Sequence, residues 1–319
     1  MPNPLRRMIL RARRAAKAMS DAAIGTLAIA LIKSLRRVDP DRLADAAGWT
    51  LRKVGPLLRE NRIAREQLTA AFPEKSAADI EAILTGTWDN LGRMGAEFVH
   101  LDRLWDYQSP EQPGRFDIAP EDLARFLRLA EDDKPALVFA AHLGNWELPA
   151  ISAHGYGLDS AVLYRGPNVA AIDRWITETR SALMGTLIPT GLGAPVKLAE
   201  ALERGGHVGM LVDQYYVRGV PVTFFGRPTR ANPLLARLAR HFDCPIHGVR
   251  LVRLPGHRYR GDITDAIQPA RDAEGKVDVA GTMQIVMNVI EGWIRDNPEQ
   301  WLWQHRRWRP EDEPNRSAT

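Results

Sequence analysis

The sequence predicts an α/β protein in which a central, mostly parallel sheet is flanked by helices. Four short apolar runs carry this expectation: Pro135–Ala141, Ser160–Tyr164, His207–Val212 and Pro245–Val252. Each has the length of a buried strand rather than of a helix. Helical patterns separate them at Trp146–Ser152, Val169–Met184, Ala194–Glu203 and Pro233–His241. Such alternation builds parallel sheets. Composition agrees, because 319 residues with 45% apolar and 26% charged side chains suffice for a sizeable core. They exclude collagen-like, disordered and polytopic membrane classes. The single cysteine, Cys244, excludes a disulfide framework within the chain and a multi-cysteine metal cluster, and suits a reducing compartment.

In chain order, residues 1–37 come first. They hold nine basic side chains and one acid, Asp21, so this leader carries about +8 while the remainder carries about −4. Within it lies an uncharged run, Ala22–Ile32, followed by Lys33, Arg36 and Arg37. Eleven helical residues span about 16 Å against a hydrocarbon core of about 30 Å, too little to cross a bilayer unaided. Bases around a short apolar run suit a helix lying in an anionic membrane interface. A soluble amphipathic helix packed on the body is the alternative. A cleaved signal peptide fits less well, because Leu35-Arg36-Arg37 stands where small cleavage-site residues belong.

Residues 38–112 read as a helical region packed on the core, with Ser76 capping a helix whose first turn holds Asp79. The polar stretch Gln108–Gly114, with two prolines, reads as the link to an α/β core over residues 113–319. That core ends in a region, about 278–308, expected to be helical. Its tryptophans, interleaved with Arg295, Arg306, Arg307 and Arg309, suit a membrane interface, stacking on single-stranded nucleic acid, or ordinary core packing.

The chemistry centres on His142-Leu-Gly-Asn-Trp-Glu147, directly after the first apolar run. His142 should emerge at the C-terminal edge of a strand, where open α/β sheets bind ligands. Gly144 permits a tight turn, and Asn145 suits the cap of a helix opening at Trp146. Glu147, in the first turn, is placed to fold back onto the imidazole. A carboxylate on one ring nitrogen fixes the tautomer and leaves the other to take a proton. No nucleophile elbow, phosphate-binding glycine loop or zinc helix accompanies it. A base without a protein nucleophile implies that the substrate supplies one, such as an alcohol attacking an acyl group. A purely structural strand-end histidine fits the spacing equally well.

Further blocks bear on that choice. Tyr164-Arg165-Gly-Pro167-Asn168 follows the second run, Gly209-Met-Leu-Val-Asp213-Gln214 spans the end of the third, and Val222-Thr-Phe-Phe-Gly226-Arg-Pro228 comes next. The chain closes with Pro298-Glu-Gln-Trp301-Leu-Trp303-Gln-His305-Arg306-Arg307-Trp308. This ordered set, with the His-(four residues)-acid motif, resembles the bacterial lipid A biosynthesis (lauroyl/myristoyl) acyltransferases, within the glycerolipid acyltransferase superfamily. Three departures stand out. The family usually carries an N-terminal membrane-spanning helix, whereas the apolar run Ala22–Ile32 is short. Ala231-Asn-Pro-Leu-Leu replaces a small, glycine-containing helix entry, and the glycerophosphate block Phe-Pro-Glu-Gly-Thr-Arg is missing.

The resemblance implies that His142 deprotonates a hydroxyl of a lipid A precursor and that Glu147 orients it. The alkoxide would attack an acyl carrier protein thioester, with no acyl-enzyme and no cofactor or metal. Asn145, Arg165, Arg180, Asp213 and Gln214 would bind substrate, Arg165 through the oxyanion or an acceptor phosphate; the alternatives are that Asp213 and Gln214, at a strand end, brace the His142 loop and that Arg180 sits on a solvated helix face. His305 is a further candidate for lipid or phosphate contact. The implied partners are acyl carrier protein, a phosphorylated glycolipid and an anionic membrane surface, at the cytoplasmic face of the inner membrane. No nucleic-acid-reading motif is present. An acyltransferase of the same family acting on a different glycolipid or lipid acceptor is the close alternative, and a thioesterase, with water in place of the alcohol, is the neighbouring chemistry.

Overall fold

The computed structural model describes residues 25–26, 29–132, 134–166 and 170–309. Most of the basic leader lies outside the described residues, although 29–35 are helical. Four helices follow: α1 (Pro40–Val54), α2 (Arg59–Ala71), α3 (Ala77–Glu97) and the short α4 (Leu101–Leu104). Ser76 caps α3 in a reciprocal capping box with Asp79, as its spacing predicts. Pro40 at the first turn and the Asp39 side chain start α1.

The α/β portion runs β1 (Phe116–Ile118), α5 (Pro120–Glu131), β2 (Ala136–Ala140), α6 (Leu148–Gly155), β3 (Ser160–Tyr164), α7 (Ala170–Ser181) and β4 (Thr186–Pro189). It continues with α8 (Ala194–Glu203), β5 (His207–Leu211), β6 (Val220–Phe224), β7 (Arg227–Ala231), α9 (Leu234–Phe242), β8 (Ile246–Leu254), β9 (Arg258–Ile263) and α10 (Val279–Asp296). Seven strands form one sheet in the order β1-β9-β8-β2-β5-β3-β4. Every pairing in it is parallel except β8 with β9. The fold is therefore α/β with a mostly parallel sheet between helices.

All four apolar runs form strands, and the central β2 is buried on both faces, as parallel strands between helical layers are. The β6–β7 hairpin stands apart as a two-stranded sheet. Its turn places Phe225 at φ 53° and Gly226 at φ 68°, the left-handed pair that a two-residue hairpin loop demands. Phe225 tolerates this strained conformation inside an aromatic cluster with Phe72, Trp303 and Trp308, under the Arg295 guanidinium.

The C-terminal region departs from expectation. Only Val279–Asp296 is α-helical, and residues 297–308 form an irregular strap after a single 3-10 turn. Trp293, Trp301, Trp303 and Trp308 are all buried. Of the three readings of this tryptophan-rich ending, core packing is the one the structure has, and the membrane-interface and base-stacking readings fall. Among the described residues, no helix is long and apolar enough to cross a membrane.

Candidate active site

Strand register alone brings the two key side chains together. Ala140 of β2 pairs with Leu211 of β5 in parallel register, and the Val212 N–H still donates to the Ala140 carbonyl. The two chains leave the sheet in step, so His142 and Asp213 emerge side by side at the C-terminal edge. There the Asp213 Oδ1 lies 2.8 Å from His142 Nδ1, while its Oδ2 accepts from the His142 backbone N–H at 2.9 Å and from the Trp301 indole N–H at 2.7 Å. Asp213 is 1% exposed. Burial alone would push its carboxyl up, but the His142 charge and these donors outweigh it and hold it at about 2. A carboxylate only accepts, so Nδ1 carries a proton in either charge state, and in the neutral imidazole Nε2 presents its lone pair. The Gln214 amide nitrogen lies 3.3 Å from that Nε2, and the Trp146 ring stands beside the imidazole with centroids 5.2 Å apart.

The histidine-to-carboxylate pairing expected within the motif is therefore made by a different residue. Glu147 turns away from the imidazole and binds the Arg180 guanidinium through both oxygens, with Nε–Oε2 at 2.8 Å. Glu147 is buried at 4% exposure, and Arg180, expected to bind substrate, here holds this buried carboxylate. The helix, expected from Trp146, opens at Leu148. Asn145 Oδ1 accepts from the Glu147 N–H at 3.2 Å, bracing a turn ahead of the helix. Its amide nitrogen donates to Glu97 at 2.8 Å, so this fully buried side chain holds the loop rather than facing outward as a substrate ligand. Arg165 directly follows β3 at the same sheet edge and is exposed.

Beneath the loop runs a polar network that the sequence did not announce. Glu97, at the end of α3, forms a two-pronged ion pair with Arg253 of β8, with Nη2–Oε2 at 2.8 Å. Burial pushes the Glu97 carboxyl up, but Arg253 and the donors from Tyr259 and Asn145 bring it below the usual carboxylate range. Asn90 donates to the Gly144 carbonyl at 3.2 Å and to the Gln300 carbonyl at 3.1 Å, and the Gly144 N–H donates to Gln300 at 3.0 Å. The Leu302 N–H reaches the His142 carbonyl at 3.1 Å, so the C-terminal strap lies against the active loop. Gly144 sits at φ +61°, and a Cβ there would come within 2.1 Å of the Leu251 carbonyl oxygen. Glycine is obligatory at this position.

Of these, Gln300 and Trp301 stand inside the quoted C-terminal block. Glu97 carried a weaker signal, a carboxylate amid the apolar end of a long helix. His305 is close enough to Asp213 and His142 to feel their charges; burial lowers its pKa, and its Nε2 is buried without a protein partner. Cys244 is buried, and burial pushes its thiol up to about 11, which leaves it unreactive. Among the described residues, no group of histidine, cysteine and acidic side chains is arranged to hold a metal.

An α/β sheet that presents a carboxylate-oriented histidine at its strand ends, without serine or cysteine among that histidine's hydrogen-bond partners, defines a class of group-transfer proteins. Comparison with known proteins narrows the class. The chain matches the bacterial lipid A biosynthesis acyltransferase family over residues 14–310 and belongs to it. It is 26% identical over 260 residues to the lipid A biosynthesis palmitoleoyltransferase of Escherichia coli (strain K12), covering 79% of this chain and 80% of that one. The lipid A biosynthesis acyltransferase of Shigella flexneri matches to the same extent.

Proposed function

We propose that the protein is a membrane-associated O-acyltransferase that moves a fatty acyl group from an acyl carrier protein thioester to a hydroxyl of a lipid A precursor. The observation that carries this reading is the His142–Asp213 pair at the sheet edge of a family member. Asp213 fixes the Nδ1–H tautomer and stabilises the imidazolium, and His142 Nε2 takes the acceptor hydroxyl's proton. The alkoxide oxygen bonds to the thioester carbon, the C–S bond breaks as the tetrahedral intermediate collapses, and the departing thiolate leaves with the imidazolium proton. No acyl-enzyme forms, and no cofactor is required.

Arg165 and Arg180 supply positive charge for the acceptor's phosphates or the oxyanion. Glu147 positions Arg180 by holding two of its nitrogens. The acceptor hydroxyl comes to Nε2 where the Gln214 amide now rests. The basic leader binds the anionic cytoplasmic leaflet of the inner membrane, and basic surface draws in the acidic carrier protein.

Incubating the protein with carrier protein bearing a labelled acyl thioester, with and without lipid A precursor, tests the reading. Label recovered in the lipid supports transfer, whereas label released only as free fatty acid identifies a thioesterase. His142→Ala should abolish transfer while the circular dichroism spectrum is retained; a folded variant with near-normal rate removes His142 as the base.

A further inference from the structure

A histidine whose lone pair stands free beside a thioester is as ready to deprotonate water as to deprotonate a lipid hydroxyl, and water is always present. In this site the lone pair is not free. Asp213 takes Nδ1, the Trp146 ring flanks the imidazole, and the Gln214 amide nitrogen lies 3.3 Å from Nε2. Because Nε2 has no hydrogen in this tautomer, the contact is an amide N–H donating to the base. Among the described residues, that is the one hydrogen bond made by the Gln214 side chain. It follows directly on Asp213, whose carboxylate is pinned by three donors, so the amide is held near Nε2 by a fixed neighbour yet is free to swing on its own torsions.

We propose that Gln214 is a cap on the base that the lipid acceptor displaces, and that it makes the site a transferase rather than a hydrolase. The inference rests on the reading of His142 as the base. A water molecule approaching Nε2 exchanges one hydrogen bond for another of similar strength and has no further contacts with which to drive the exchange. A phosphorylated glycolipid has many, and its remote binding energy displaces the amide while it seats its hydroxyl. Without the cap, water gives its proton to Nε2, its oxygen bonds to the thioester carbon, the C–S bond breaks, and the thiol leaves with that proton. The products are free fatty acid and free carrier protein.

The test compares wild type, Gln214→Ala and the His142→Ala/Gln214→Ala double variant on acyl carrier protein thioester, with and without lipid A precursor, scoring free fatty acid against acylated lipid. Gln214→Ala should raise the ratio of hydrolysis to transfer about five- to tenfold, the factor that loss of one hydrogen bond corresponds to. The double variant should lose the added hydrolysis. An unchanged ratio overturns the cap, as does added hydrolysis that survives without His142. If wild type transfers no acyl group, the acyltransferase reading fails and the inference falls with it. A readout independent of turnover is the nitrogen-15 resonance of His142 Nε2 in the free protein. It should move in Gln214→Ala, and the same shift in both proteins counts against the contact.

Discussion

At His142 the two ring nitrogens have different neighbours, and the difference assigns their work. Nδ1 faces a buried carboxylate and Nε2 faces the Gln214 amide. Replacing Asp213 with Asn should cut transfer about ten-thousandfold with little change in KM, since an amide can stabilise either tautomer and no imidazolium. Glu147→Gln should leave the His142 nitrogen-15 resonances nearly unchanged, because that carboxylate touches Arg180 instead. Kinetics and imidazole spectra of the two variants check the contrast. The Asp213 carboxyl is depressed to about 2 in the folded protein. Its contribution to stability is therefore present above the unfolded value of about 3.9 and is lost as pH falls toward about 2. The histidine was legible in the sequence because a strand end announces itself by an apolar run. Its partner was not, since proximity along the chain favoured Glu147 while strand register favoured Asp213.

Among the elements, the strap after α10 and the end of α3 do the positioning. Glu97 and Arg253 lie 156 residues apart and meet beneath the loop. Arg253→Met should destabilise the protein by about 3–5 kcal/mol, because it strands a buried carboxylate. Urea unfolding measures this, and a loss under about 1 kcal/mol would show the pair to be dispensable. Gly144→Ala should disable transfer as well as lower stability, since its Cβ collides with the Leu251 carbonyl. The central strands and most helices were legible because burial on both faces leaves uninterrupted apolar text. β9 was not, because Arg258-Tyr-Arg-Gly-Asp-Ile263 alternates polar and apolar residues with only part of each turned inward. The strap escaped pattern reading for a related reason. Its order comes from indole N–H groups, those of Trp301 and Trp308 reaching distant segments and that of Trp303 a nearby carbonyl, and these leave no periodicity.

For the whole molecule, charge is divided between a basic leader and a mildly acidic body. Deleting residues 1–37 should shift the protein from the membrane pellet to the supernatant, with the thermal unfolding of the body retained. Unchanged sedimentation with membranes would place the membrane contact elsewhere. The leader was legible in composition alone, whereas the site's completion depends on partners far apart in the chain. Asp213 and Trp301 are 88 positions apart, and Asn90 and Gln300 are 210 apart. That separation sets an order of events during synthesis. Until Trp301 has been made, the loop that carries His142 has no strap against which to fold. A stop codon anywhere before Trp301 therefore leaves the Asp213 carboxylate without its indole donor and the His142 loop without its backing.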